Sequence, residues 1–365
     1  MSKRSGPAPF NPYATKLQRP NPSNPPVQQK SHRSTSSSSS LPTVKKPKVL
    51  PAKGVLARDL LRASSTFEEP SVCASIPNVV AQVLRRGRVC SVSGQAGCGK
   101  SNLLISSSVH QLLNKYLSSS APSNPSVVYV TLGMEEASGV PKRLKDIALG
   151  VVDKAIDDVG LEEIVRRYNR NPSTTSKITS GVVKADVVEE IVSEAVLKKF
   201  MLKKLENTEE FEEALEIGNN SLQNNPNGEK LLEFFAQLSA KNMPCALLCL
   251  DSIAGIYRKS FDDSQTQNTR FPVETFFRIS AFLRNLDMPV LVANQSVANM
   301  GGGQNGQKEC FGLSYQFCVD GRLELERRQG EKWIRKLKVK CFSNIKDVTM
   351  RFEVGTEGMT EVIEG

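Results

Sequence analysis

The sequence predicts an α/β fold: a mostly parallel central sheet with helices on both faces and an antiparallel extension at the C-terminal end. Three observations lead there. Short, continuously apolar segments at residues 126–132, 246–250 and 289–293 read as strands buried on both faces. Helical patterns at 101–117 and 272–285 alternate with them. Toward the C-terminus, 322–326, 336–341 and 348–354 alternate apolar and polar residues, as antiparallel strands do.

The 365 residues carry a net charge of +10. Residues 1–53 hold ten Lys or Arg, no Asp or Glu and ten of the 20 prolines, so 54–365 contain 38 basic and 38 acidic residues. The basicity therefore belongs to the N-terminal segment, which argues against a uniformly basic DNA-binding face on the folded part. Proline, the serine run 36–40 and the scarcity of aliphatic residues mark 1–53 as a disordered tail. Within it, Lys45-Lys46-Pro47-Lys48-Val49 has two readings, a nuclear import signal or a solvated linker. The eight cysteines form no C-x-x-C pair and there are two histidines, which excludes a Cys/His zinc module and fits reduced thiols in nucleus or cytosol. The sequence contains no apolar run of membrane-spanning length.

From residue 54 the pattern becomes globular, with short helices expected at 55–62 and 76–84 and a strand at 88–92. That strand leads into Gly94-Gln95-Ala96-Gly97-Cys98-Gly99-Lys100-Ser101, a full match to G-x-x-x-x-G-K-[ST] between a strand and a helix. Glycines there let backbone N–H groups turn inward around an anion, Lys100 supplies charge to the outer phosphates, and the Ser101 hydroxyl is placed to ligate Mg²⁺. The helix that follows adds its positive end. The chemistry indicated is nucleoside triphosphate binding.

Such a loop needs an acid at the end of a nearby strand to hold the metal through water, and Asp251, after four apolar residues, is the candidate. Hydrolysis needs a carboxylate that orients water, and Glu135 or Glu136 follows the 126–132 strand. The Asn294-Gln295 pair at the tip of the 289–293 strand fits either a γ-phosphate sensor or a buried strand-end cap, ahead of a glycine-rich loop at 301–306. Residues 145–235 are charged and helix-rich, with polar breaks at 169–176 and 219–228 and a helical insertion at about 150–200.

The order of these motifs resembles the RecA-type eukaryotic strand-exchange recombinases and their paralogues. The likeness rests on the phosphate loop, Y-V-T-L-G-M-E-E-A at 129–137 with P-K-R-L at 141–144, L-L-C-L-D-S-I-A-G-I-Y-R at 247–258, V-L-V-A-N-Q-S-V-A at 290–298, G-R-L-E-L-E-R-R at 321–328 and F-E-V-G-T-E-G at 352–358. It spans about residues 70–365 and implies a RecA-like P-loop ATPase core that binds ATP and Mg²⁺. It implies Glu135 as catalytic carboxylate, Gln295 as γ-phosphate sensor and Arg143 near the adenine. It also implies two DNA loops, one with Arg258, Lys259 and Arg270 and one with Lys308. A tail without room for an N-terminal helical domain points to a paralogue. The implied setting is nuclear: repair of broken DNA in a heteromeric complex with other paralogues or the principal recombinase, on single-stranded or branched DNA, with weak DNA-dependent ATPase activity. The alternative is a non-catalytic, ATP-bound scaffold subunit. Three extra residues between Tyr129 and the glutamate, and Lys308 as the sole cation of the second loop, depart from the pattern.

Overall fold

A computed structural model describes residues 80, 83–117, 124–133, 137–179, 181–216, 230–262, 273–298, 307–327, 334–340, 348–356 and 358–362. The chain divides into Met1–Ser64 and Ser65–Gly365, and every described residue lies in the second unit. The expectations for the 1–53 tail, the 55–62 helix and the 301–306 loop fall outside the described residues.

Among the described residues ten strands form one sheet. The first, β1 (Val89–Gly94), is followed by helix α1 (Lys100–Tyr116) and then by β2 (Ser126–Leu132). Three helices come next, α2 (Gly139–Val159), α3 (Leu161–Arg170) and α4 (Lys184–Val192), the last continued by a π-helical turn, Ser193–Leu197. The chain then makes β3 (Phe200–Leu205), α5 (Thr208–Ala214), α6 (Leu231–Ala240), β4 (Cys245–Asp251), α7 (Ile253–Asp262), α8 (Val273–Asn285) and β5 (Val290–Ala298). It ends with β6 (Gln307–Glu309), α9 (Gly312–Cys318), β7 (Gly321–Arg327), β8 (Ile334–Lys340), β9 (Val348–Gly355) and β10 (Gly358–Glu361).

The strand order is β10-β9-β8-β7-β1-β5-β4-β2-β3, with β6 paired to β5. The run from β7 to β3 is parallel. The ladders β7–β8, β8–β9 and β9–β10 are antiparallel. The expected class, a mostly parallel sheet with an antiparallel C-terminal extension, is what the chain forms. Alternate residues of each strand serve two separate cores. Cys90, Val92, Tyr129, Cys249 and Leu291 face α1 and the helices α2 to α4 beyond it. Val89, Val128, Leu250 and Val292 face α5 to α8. Covering both faces explains why β1, β2 and β4 read as near-continuous apolar runs.

Three differences from the sequence expectations have physical causes. Residues 200–205 lie inside the stretch read as helix-rich, yet form β3, paired along its length with β2. As an edge strand it tolerates Lys203 and Lys204, and Lys203 Nζ sits 3.9 Å from the centre of the Phe234 ring. Arg258 and Lys259, expected in a loop, lie in α7, which runs on from Ile253 to Asp262. Ser296–Ala298 and Lys308, expected in a second loop, belong to the antiparallel β5–β6 pair, in which Val297 is in register with Lys308. Residues 263–272, with Arg270, and 299–306 lie outside the described residues.

At the carboxyl end of the parallel strands, Gly94 pairs with Gln295 on one side and Leu325 on the other, and Thr131 pairs with Asp251. This is the end at which open α/β sheets bind ligands.

Candidate nucleotide site

The loop from β1 to α1 is held by close packing. A Cβ on Gly94 would stand 2.5 Å from both the Leu325 carbonyl oxygen and Cys98 Sγ, so only glycine fits there. Cys98 is fully buried beneath the loop, while Gln95, Ala96 and Gly97 are exposed above it. Gly97 and Gly99 take φ of 71° and 104°, left-handed values that favour glycine, and the Cys98 amide between them donates to the Gln95 carbonyl at 3.3 Å. Gly99 caps α1 without any side-chain hydrogen bond, and the first turn holds no acid. A first turn without a side-chain cap or an acid of its own leaves its amides and the helix dipole suited to phosphate.

Lys100 folds back over the loop. Its Nζ donates to the Gly94 carbonyl at 3.0 Å and the Gln95 carbonyl at 2.9 Å. An ammonium has three donors, so one stays available for an anion. Ser101 is half-buried in the same turn.

Asp251 ends β4 and is 3% exposed. Its Oδ2 accepts a hydrogen bond from the Tyr129 hydroxyl at 2.6 Å. Among the described residues it has no cationic partner and Oδ1 has no donor. A buried carboxylate without a counter-charge is costly, and the hydroxyl of Ser252, fully buried next to it, also lacks a partner among the described residues. A hydrated cation beside Asp251 would relieve the charge and offer water to the hydroxyl. No group of three or more His, Cys, Asp or Glu among the described residues could hold a metal unaided. That fits Mg²⁺, which takes one or two protein ligands and completes its shell with phosphate and water. Cys249, two residues before Asp251, offers no thiolate: burial pushes its thiol up, a hydrogen bond with Ser108 opposes this, and the Asp251 charge adds to it.

The Asn294-Gln295 pair divides its roles. Asn294 is fully buried, donates from Nδ2 to the Cys310 carbonyl at 3.1 Å and accepts from the Gln295 amide at 2.9 Å. It is a strand-end brace that holds β5 to the turn after β6. Gln295 is half-buried, level with Gly94, and its carbonyl accepts from the Cys310 amide at 2.8 Å. Glu135 and Glu136 lie outside the described residues.

Beside the loop opens a cleft of about 530 Å³, a size suited to a small-molecule ligand. Its walls are Gly97, Gly99 and Asn102, Arg143 on α2, and residues 353–356 where β9 turns toward β10. Arg143 Nε donates to Asn102 Oδ1 at 2.8 Å, and a terminal nitrogen donates to the Gly355 carbonyl at 2.7 Å. Both acceptors are neutral, so the guanidinium charge is unneutralised among the described residues. The cleft thus joins the phosphate loop, one fixed cation and the end of the C-terminal hairpin. The sequence pointed to Arg143 by resemblance alone, and Asn102, Gly355 and Tyr129 were not singled out. Asn102 directly follows the loop motif and could have been flagged, whereas Gly355 carries no local signal.

No protein-family model and no curated protein sequence matches the chain. Among solved structures it is similar to the crystal structure of the RadB recombinase, with a TM-score of 0.45 and 17% identity over 80% of this chain and 97% of that one.

Proposed function

We propose that this chain is an ATP-binding recombinase paralogue that assists homologous recombination and double-strand-break repair within a heteromeric complex on DNA in the nucleus. The observation that carries the nucleotide part is a glycine-lined helix N-terminus without a side-chain cap, together with a buried carboxylate that has no counter-cation among the described residues. The recombination part rests on the ordered resemblance of the motifs. The 247–258 segment with the Pro141-Lys142-Arg143-Leu144 run most resembles the third of the X-ray-repair cross-complementing paralogues.

In this reading the loop amides and Lys100 bind the phosphates, Ser101 and Asp251 hold Mg²⁺, and Arg143 borders the base and sugar. The magnesium ion, when bound, neutralises charge on the β and γ phosphates. Glu135 orients water and Gln295 senses the γ-phosphate, next to the β5–β6 pair. Arg258, Lys259, Arg270 and Lys308 meet DNA, and the zero net charge of residues 54–365 favours modest intrinsic affinity. The partners are other recombinase paralogues or the principal recombinase. No helix among the described residues is long and apolar enough to cross a membrane.

Lys100→Ala tests the reading. Binding of a fluorescent ATP analogue should fall by about a hundredfold, since the variant removes a charge-assisted contact to phosphate. Loss of partner capture and of repair with it supports coupling of nucleotide state to assembly. Retention of both favours the scaffold reading, to which the altered spacing before Glu135 also points. Unchanged analogue binding would refute nucleotide binding by this loop.

A further inference from the structure

We infer that Tyr129 is a positioning residue for the metal: its hydroxyl fixes the Asp251 carboxylate so that Oδ1 is the oxygen presented to Mg²⁺. The inference rests on the nucleotide reading above and adds a residue to it. Tyr129 projects from the middle of β2, is fully buried, and donates to Asp251 Oδ2 at 2.6 Å. Asp251 itself sits at the carboxyl end of β4, in register with Thr131 on β2. The phenol thus spans from one strand to the next, from a position two residues further back along the ladder.

Three facts give this bond a role beyond satisfying a core hydroxyl. First, the acceptor is a buried carboxylate with no other donor among the described residues, so the phenol alone selects between its two rotationally equivalent oxygens. Second, the tyrosine ring is itself held, with its centroid 5.6 Å from that of Phe200 on the edge strand β3. The donor therefore has a fixed origin. Third, the phenol donates a hydrogen bond but brings no positive charge, so it orients the carboxylate without neutralising it. An Arg or Lys in its place would compete with the metal for Asp251.

The test uses the full-length chain with Tyr129→Phe, Tyr129→Met, Phe200→Leu and Asp251→Asn. Each is titrated with Mg²⁺ in the presence of a fluorescent ATP analogue, and analogue affinity in EDTA and the thermal midpoint without nucleotide are read in parallel. Tyr129→Phe keeps the ring and loses the donor. It should raise the magnesium midpoint about tenfold, the share of one hydrogen bond to a charged group, and leave affinity in EDTA unchanged. Tyr129→Met fills the same space with an adaptable side chain and no donor, and should behave alike. Phe200→Leu should lower the thermal midpoint without moving the magnesium midpoint.

Two results overturn the inference while leaving the magnesium reading of Asp251 intact. One is a magnesium midpoint untouched in both Tyr129 variants but raised in Asp251→Asn. The other is an equal rise in Phe200→Leu, which would assign the effect to packing. An Asp251→Asn variant with an unaltered midpoint would instead sink the magnesium reading of that carboxylate, and the role of Tyr129 with it.

Discussion

At Gly94 the β1 backbone passes so close to β7 that a methyl group would meet the Leu325 carbonyl at 2.5 Å. At Gly97, three residues on, a methyl group would meet nothing within 4 Å, and only the φ of 71° resists a side chain. Two glycines of one motif are thus required for different reasons, close approach at one and backbone handedness at the other. Gly94→Ala should cost about 3 kcal/mol through forced overpacking, and Gly97→Ala about 1 kcal/mol through the left-handed backbone alone. Urea denaturation of the two variants checks the difference; equal losses would mean that the loop relaxes around the added methyl. The same scale separates Asn294 from Gln295. The Asn294 amide braces β5, and Gln295 lies level with Gly94 of the loop.

Helix α1 is anchored at one end and open at the other. At its C-terminal end, Asn171 Nδ2 donates to the Tyr116 carbonyl at 2.9 Å, and the Tyr116 hydroxyl lies 3.1 Å from Thr174 Oγ1. Residues after α3 therefore clasp the last turn of α1, while its first turn has no side-chain cap among the described residues. Strand β1 is anchored at its start. The Val89 amide donates to Asp320 Oδ2 at 2.8 Å, and Arg284 Nε lies 3.2 Å from both Asp320 oxygens. Asp320 thus sets β1, α8 and the entry to β7 in register at the end of the sheet opposite the site. Asp320→Ala should cost about 3 kcal/mol, because it strands an amide and leaves a guanidinium without its carboxylate. Adding Arg284→Met should cost less than the sum of the single losses, since the two groups share one network. Strict additivity in chemical denaturation would show that they act independently.

Across the whole molecule, the helices of the 139–197 region do not form a separate body. Val151, Ile156, Ile164, Tyr168, Val188 and Ile191 belong to the same buried cluster as Cys90, Val92 and Leu104. The sheet, α1 and these helices therefore stand or fall together, and the burial has a consequence at alkaline pH. Burial pushes the Cys90 thiol from 9.0 up to about 12, with the Asp320 charge adding and Arg88 opposing. Burial likewise raises the phenol of Tyr257, helped by Glu212. The folded state keeps these protons at pH values where the unfolded chain releases them. Their contribution is complete below the unfolded values, near pH 9 for the thiols and 10 for the phenol, and is lost as pH rises toward the folded ones. The thermal midpoint should fall from about pH 9 upward, and Cys90→Ala should make the fall shallower. A midpoint flat to pH 11 would contradict the argument.

The features that the sequence by itself determined are those written in local codes. The phosphate loop needs glycine, lysine and serine at set spacings between a strand and a helix, and all of that lies within 30 residues of chain. Strands β2, β4 and β5 announce themselves because burial on both faces demands unbroken apolar residues. Only the tertiary structure decided that 200–205 is a strand, since its lysines become acceptable through pairing with β2 and an open edge. It alone kept Arg258 and Lys259 in α7, by extending a helix that starts at Ile253. It alone gave Arg143 its acceptors, 41 and 212 residues away, and joined Tyr129 to Asp251 across 122 residues. Spacing along a chain encodes the shape of a loop; the charge balance and orientation of a buried carboxylate depend on which strands become neighbours, and that is settled only when the sheet closes.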